Sequence, residues 1–496
     1  MWSELLIVTS YDRLVLWHPP SPAHFISVCL NTLLLGGIFC LVAIFGQKLP
    51  GKLAKFERLL WLPPALLILN AIRGVITYEA PGFRLPTLVR LFGPAGAAVV
   101  CALAGALGVG LAIRYSGRLV RIAAMLLLLL CPLVVANMAQ AVWAVFSGGT
   151  VAAAVGGLRV EAGETIPPRR VVWVILDEWD QRLSFDDRPA GMRLPEMDRL
   201  RGQSLWAVDA YPPGGSTLLS VPALTTGLPV AKAEPVGDAQ LRLTITGFSS
   251  PVEWGTQPTV FSQAARLGYR PAVVGWYLPY CRLFGDVVSS CDSWEMGWRY
   301  NVHGAELAQI LLNQTRSLVE TDARSVFGQS LYTLQHIRTH REHLERSKAA
   351  VANARLGLVL LHSPIPHAPF FFDPATTGFT LRNYSPADYF SALLLADRTL
   401  GELRRAIEEA GLSDRTSLVL TSDHAYRSAD LVDGKKDPRV PFVLKLAGQN
   451  RSVVHPRPFN TLVTAELILA VLRSEIRSPE QASAWLSAHG SNTLKQ

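Results

Sequence analysis

Four apolar stretches crowd the first 150 residues of this 496-residue chain: "FISVCLNTLLLGGIFCLVAIFG" (25–46), "LLWLPPALLILNAIRGVITY" (59–78), "LFGPAGAAVVCALAGALGVGLAI" (91–113) and "IAAMLLLLLCPLVVANMAQAVWAVF" (122–146). Each is close to the roughly 20 residues that carry a helix across a bilayer core. Helices buried in a soluble core would show a charged face, which these segments lack. The pattern predicts an all-α transmembrane domain of about four helices over residues 1–147. It also accounts for a hydrophobic content of 49% with only 17% charged residues, a composition unusual for a purely soluble protein.

The net charge of +8 belongs to the same region. Residues 1–150 hold eleven Lys/Arg against four Asp/Glu, a balance of +7, so the remaining 346 residues carry about +1. That near-neutral remainder predicts no nucleic-acid partner. Lys48, Lys52, Lys55 and Arg58 lie between the first two spans, and Arg114, Arg118 and Arg121 between the third and fourth. The positive-inside rule makes both loops cytoplasmic, so everything after Phe146 faces outward. The start, "MWSELLIVTSYDRLVLWHPP", has no basic n-region and a charge-broken apolar run, so no cleavable signal peptide is expected. Arg73, near the outward end of the second span, either meets lipid phosphate or snorkels to the interface. The expected location is an integral membrane protein of the bacterial inner-membrane type with its large domain periplasmic. Cys29, Cys40, Cys101 and Cys131 fall inside the spans, whereas Cys281 and Cys291 lie outside. A disulfide between the latter two fits an oxidising compartment; two unpaired buried thiols is the other reading.

After a Gly/Ala/Pro-containing linker (148–168) the pattern changes. "VVWVIL", "RPAVVGW", "LGLVLLH", "TSLVLTS" and "VPFVLKL" read as strands buried on both faces. Between them "TVFSQAARLG", "LQHIRTHREHLERSKAAVANA" and "YFSALLLADRTLGELRRAIEEAG" read as helices, the last ending at Gly411. The alternation predicts an α/β domain over 169–496, with a mainly parallel sheet sandwiched by helices. Functional residues then gather at the carboxyl ends of the strands.

Two of those ends carry metal-ligating types. "VVWVIL" delivers Asp177 and Glu178, and "TSLVLTS" delivers Asp423 and His424. Carboxylates facing an Asp-His pair form a mixed O/N set suited to one zinc or manganese ion. Between them in sequence, "YPPGGSTLLSVPALTTGLP" reads as a tight turn at Pro212–Gly215 followed by a short helix. Ser216 or Thr217 is either its N-cap or a nucleophile, because a hydroxyl beside a divalent cation ionises readily. "LVLLHSPIPHAPFFFD" adds His362 and His367 after another strand, each a candidate proton donor to a leaving alkoxide or a strand-end cap.

Strand-end "DE", then "GGSTLLSVPALTTG", "HSPIPHAPF" and "SDH", in this order, resembles the alkaline phosphatase superfamily, especially its sulfatase-like and membrane-anchored phosphotransferase branches. "TLLSVP" looks like the nucleophile segment of lipid A phosphoethanolamine transferases. The resemblance, which covers about 169–446, makes Thr217 the nucleophile and a metal ligand, with Ser216 the fallback. It makes Asp177 and/or Glu178, Asp423 and His424 the other ligands. His367, in its Pro-His-x-Pro setting, is then the better contact to substrate or leaving group, and His362 the second. No Cys-x-Pro-x-Arg segment is present, so a formylglycine nucleophile is not expected. After "SDH" there are Lys435 and Lys436 rather than a further His, which favours one metal, as in lipoteichoic acid synthase-like enzymes; the lysines either touch substrate charge or sit in a solvated loop. His455 is a remote further ligand candidate. Asp397 lies on a helix that the resemblance returns toward the site, although solvation of a helix face explains it equally. Together these imply a membrane-anchored phosphotransferase moving a phosphoethanolamine- or phosphoglycerol-type headgroup from a phospholipid donor to an envelope acceptor. A phosphate or sulfate ester hydrolase of the same fold, or an inactive membrane-tethered binding module, are the alternatives.

Overall fold

The structure, a computed structural model, describes residues 85–147, 166–237, 240–295, 330–381 and 385–490, with isolated positions among 26–66 and 307–312. The predicted spans over 25–46 and 59–78 fall almost wholly outside the described residues, as do Arg73, Cys29, Cys40, the first basic loop and most of the linker. The chain divides into two compact units, one drawn from His18–Thr150 and Arg299–Tyr332, the other from Val151–Trp298 and Thr333–Gln496.

In the first unit, α1 (Leu85–Arg114) is interrupted at Gly93, whose φ of 70° is left-handed. Its segment Ala95–Arg114 has 20 residues and a mean hydropathy of 2.2; among the described residues it alone is a helix long and apolar enough to cross a membrane. The fourth predicted span lies within α2 (Ser116–Ser147), which contains Pro132. The expectation of four spans therefore reduces, in what is described, to one helix that satisfies the criterion. The predicted loop between the third and fourth spans is also shorter than expected. Arg118 and Arg121 already lie in the opening turns of α2, where Arg121 Nε donates to Gly117 O at 3.1 Å.

The second unit is built on an eight-stranded sheet. Its strands are β1 (Arg170–Asp177), β2 (Leu205–Ala207), β3 (Pro271–Tyr277), β4 (Ser290–Glu295), β5 (Leu358–Pro366), β6 (Thr416–Ser422), β7 (Phe442–Lys445) and β8 (Val453–His455). The order across the sheet is β8-β2-β7-β6-β1-β5-β3-β4. Strand β1 pairs in parallel with β6 and β5, and β3 in parallel with β5 and β4. Only β7 runs against its neighbours. The five predicted apolar runs are all strands; β2, β4 and β8 lack their long apolar signature.

Every residue of β1 is buried, and its alternation sends successive side chains to opposite layers. Val171, Trp173 and Ile175 pack with α3 (Thr217–Thr226) and, after the helices α4 (Tyr280–Phe284), α5 (Ser330–Ala352) and α6 (Tyr389–Glu409), with α7 (Thr464–Leu472). Val172, Val174 and Leu176 pack with α5 and α6. A strand sealed on both sides cannot be moved without opening two cores, each such side chain contributing about 1.5–3 kcal/mol. The strand's carboxyl end is thereby fixed. A disulfide joins Cys281 on α4 to Cys291 on β4. Gly411 adopts φ 67° just past α6, the left-handed position that a helix C-terminus reserves for glycine.

Candidate metal and nucleophile site

Strands β1 and β6 lie side by side in register, Leu176 opposite Ser422, so the residues that follow them emerge together. Ser422 ties the two ends. Its hydroxyl accepts Trp179 N–H at 2.8 Å and lies 2.7 Å from the carbonyls of Leu176 and His424, which share its one proton. Glu178, the first residue past β1, has φ 64°, uncommon for a side chain with a Cβ and found where the surroundings enforce it. Here the Glu178 N–H donates to Asp423 Oδ1 at 3.2 Å, and its carbonyl accepts the Tyr389 hydroxyl at 2.7 Å. Tyr389 stacks on Tyr426 with ring centroids 4.2 Å apart and also accepts Asp180 N–H at 2.9 Å.

The turn before α3 brings in the hydroxyl. Ser220 Oγ donates to Gly214 O at 2.7 Å, closing the loop onto its own helix. A Cβ on Gly214 would stand 2.8 Å from Leu219 Cβ, so the turn requires glycine. Ser216 is the extended N-cap residue, yet its side chain caps nothing. Thr217, the first helical residue, points its hydroxyl away from the helix amides and donates to Asp423 Oδ2 at 2.6 Å.

Four of the predicted ligands converge. Asp177 Oδ2 accepts the Trp276 indole N–H at 2.9 Å, while its Oδ1 is buried and meets no donor. His424 Nδ1 donates to Ala425 O at 3.0 Å, which leaves the Nε2 lone pair facing inward. That nitrogen lies 3.4 Å from Asp423 Oδ2, 3.5 Å from Thr217 Oγ1 and 3.9 Å from Asp177 Oδ1. His362 joins from β5: its Nδ1 pairs with the Tyr280 hydroxyl at 2.8 Å, and its buried Nε2 has no partner. Ligand atoms of Asp177, His362 and Asp423 lie within 4.8 Å of one another.

Burial, with Asp423 and Glu178 nearby, pushes the Asp177 carboxyl well above the ordinary carboxylate range. Burial acts on Asp423 in the same sense, but His424, His362 and the Thr217 hydroxyl outweigh it and hold that group below its usual value. Burial also depresses His362 to about 4. Two buried carboxylates, a lone pair directed between them and an orphaned carboxylate oxygen repel one another unless a cation sits among them. The donor set fits one divalent ion.

Glu178 does not join this cluster. Its carboxylate accepts Arg427 Nε at 2.6 Å instead. His367 is half-buried at the lip; its Nδ1 donates to Ala368 O at 2.5 Å and its Nε2 accepts from Arg427 Nη2 at 3.2 Å. Burial, against the attraction of Glu178, lowers its pKa. In this geometry Nδ1 carries the ring proton and Nε2 faces Arg427.

The remaining candidates stand elsewhere. Asp397 is buried on α6 and accepts Met197 N–H at 2.8 Å, capping a short helix, Pro195–Gly202, rather than solvating a face. His455 is on β8 at the sheet's edge, paired with Ser483. Lys435 and Lys436 form surface ion pairs with Asp187 and Asp430. Three residues that the sequence did not single out complete the site: Trp276, Tyr280 and Arg427. Arg427 ends the "SDHAYR" stretch, and its distance of three residues from His424 was the only signal it offered.

Residues 169–466 match the sulfatase family. The chain belongs to that family. As a sulfatase-family protein of the alkaline phosphatase superfamily it is an enzyme of phospho- or sulfo-ester chemistry, a hydrolase or transferase. Solved structures to which the chain is similar include the lipoteichoic acid synthase LtaP from Listeria monocytogenes, at 13% identity over 62% of this chain and 72% of that one, with a TM-score of 0.38. The phosphonate monoester hydrolase of Agrobacterium radiobacter has 14% identity over 62% and 74%, with a TM-score of 0.40. The PsFucS1 sulfatase from Pseudoalteromonas sp. has 16% identity over 62% and 69%, with a TM-score of 0.42. No curated protein matches the chain.

Proposed function

We propose that this sulfatase-family enzyme is a membrane-anchored phosphotransferase. In this reading residues 1–147 are a transmembrane domain of about four helices, 148–168 a linker, and 169–496 an outward-facing, periplasmic catalytic domain. The apolar Ala95–Arg114 segment and the Cys281–Cys291 disulfide support that arrangement. Asp177, Thr217, Asp423 and His424 hold one divalent ion, zinc or manganese. The observation that carries the proposal is the Thr217 hydroxyl, 2.6 Å from Asp423 and 3.5 Å from His424 Nε2, inside a buried carboxylate cluster.

When bound, the ion would lower the pKa of that hydroxyl and offset negative charge on the reacting group. Thr217 Oγ1 attacks phosphorus, its proton leaving to solvent as the hydroxyl ionises. A P–O bond to the donor's alcohol breaks as the Thr217 O–P bond forms, and the departing oxygen takes its proton from the solvent side, beside His367. An acceptor hydroxyl then attacks the phospho-threonine: the acceptor O–P bond forms as the Thr217 O–P bond breaks, the acceptor's proton leaves to solvent and Thr217 Oγ1 takes one up. The donor is a phospholipid with a phosphoethanolamine- or phosphoglycerol-type headgroup, and the acceptor an envelope component. The absence of a Cys-x-Pro-x-Arg segment supports phosphoryl over sulfuryl transfer.

Incubation of the purified chain in bilayers with headgroup-labelled phosphatidylethanolamine or phosphatidylglycerol tests the transfer. Most of the label should appear on an added hydroxyl acceptor. Label released only as the free phospho-headgroup would make the enzyme a hydrolase instead.

A further inference from the structure

Glu178 and Arg427 form a pair at the lip of the site that the scheme above leaves idle. The Glu178 carboxylate is 5% exposed, whereas the Arg427 side chain is 56% exposed, so one partner is walled in and the other faces whatever enters. Glu178 is not free to turn back toward Asp177. Its amide is held by Asp423 Oδ1 and its carbonyl by Tyr389, which fixes the left-handed backbone that aims the side chain at Arg427. Arg427 is held twice, by Glu178 at Nε and by His367 at Nη2.

The charged side chains that act on Asp177 are Asp423, Glu178 and Arg427. Three carboxylates and one guanidinium sum to −2, which a single divalent ion brings to zero. The nearby loop lysines add nothing, because Lys435 and Lys436 are paired with Asp187 and Asp430. A guanidinium without a carboxylate partner would give the site a surplus positive charge and two parallel donors, the arrangement that favours a phosphate dianion.

We propose that Glu178 is the neutralising partner of Arg427 rather than a metal ligand, and that this pair makes the site select esters whose reacting group carries one negative charge over phosphate monoester dianions. The proposal rests on the Thr217-centred reading above. Arg427 orients a non-bridging oxygen, and Glu178, which acts through Arg427, is a positioning residue.

The full-length, zinc-loaded chain is compared with Glu178→Gln and with the double variant Glu178→Gln/Arg427→Gln. Three quantities are read: zinc content, orthophosphate binding by calorimetry, and the ratio of kcat/KM for 4-nitrophenyl phosphate to that for bis(4-nitrophenyl) phosphate. Glu178→Gln should retain its zinc, bind orthophosphate roughly tenfold more tightly and shift the ratio roughly tenfold toward the monoester. The double variant, with both charges gone, should lose the shift in the ratio and bind orthophosphate no more tightly than the parent. Loss of zinc in Glu178→Gln would make Glu178 a ligand and overturn the proposal, as would unchanged phosphate affinity or a shift that persists in the double variant. Should the parent turn over neither ester, zinc content and orthophosphate binding decide alone. A Thr217→Ala variant that stays active would instead count against the underlying mechanism and leave the charge argument standing.

Discussion

Thr217→Ala is expected to lower metal-dependent turnover of a phosphodiester by about 1,000-fold or more, the scale seen when a nucleophile that works as part of a unit is removed. The geometry makes the loss specific. Among the described residues Thr217 is the one hydroxyl in contact with both the Asp423 carboxylate and the His424 ring. Ser216, one residue away, lies on the extended side of the helix start and caps nothing, so Ser216→Ala should alter turnover by less than about threefold. Thr217→Ser keeps an oxygen in place and should retain activity within about tenfold of the parent. Mass spectrometry of rapidly quenched enzyme should find the phosphoryl group on the peptide containing residue 217. Turnover in Thr217→Ala equal to that of the parent would remove the residue from the mechanism.

The second large effect concerns acid. Helix α5 carries His336, His340 and His343 at helical spacing, all buried: His336 against Trp276, His340 against Phe371 and Phe379, and His343 with its Nε2 on Val274 O at 3.3 Å. Burial pushes them to about 3, 4 and 3. Folding therefore keeps them neutral, whereas the unfolded chain protonates them near 6.5. Their contribution is intact above that pH and is lost as pH falls from about 6.5 toward 3. Even at a third of the nominal linkage, three such groups amount to roughly 4 kcal/mol, a large share of a domain's whole stability. Asp180 and Asp397, both raised to about 6 by burial, act in the opposite sense between pH 4 and 6 and offset part of this. Denaturant titrations at pH 7.5, 5.5 and 4.5 should show a steep loss of stability, and His343→Gln should flatten it. A profile level from pH 6.5 to 4.5 in the parent would contradict the account.

The same residues show what could be read without a structure. Strands β1 and β6 were legible because runs such as "VVWVIL" and "TSLVLTS" have no other stable use than burial on two faces, and the charged residues after each run mark where the sheet ends. Asp177, Asp423 and His424 followed from that; the Gly-Gly turn pointed to Ser216 or Thr217, and only the family resemblance chose Thr217. The direction of Glu178 did not, since it depends on a left-handed backbone imposed by Asp423 and Tyr389, residues more than 200 positions away. Trp276 and Tyr280 look apolar in sequence; only the register of β3 beside β5, and the helix that follows β3, bring their polar tips to Asp177 and His362. Short strands such as β2 and β8 were invisible because three residues cannot establish an alternation. The α5 histidines lie in a stretch legible as a helix, but their burial depends on what packs over them.

The claim beneath all of this is that the tips of β1 and β6 and the first hydroxyl of α3 surround one divalent cation. Diffraction from crystals grown with zinc, recorded on both sides of its absorption edge, measures this directly. The account predicts one anomalous peak per chain at about 2.0–2.2 Å from Asp177 Oδ1, Thr217 Oγ1, Asp423 Oδ2 and His424 Nε2, with Glu178 still on Arg427. No peak at that position in zinc-saturated crystals, or a peak bound elsewhere in the domain, would contradict it.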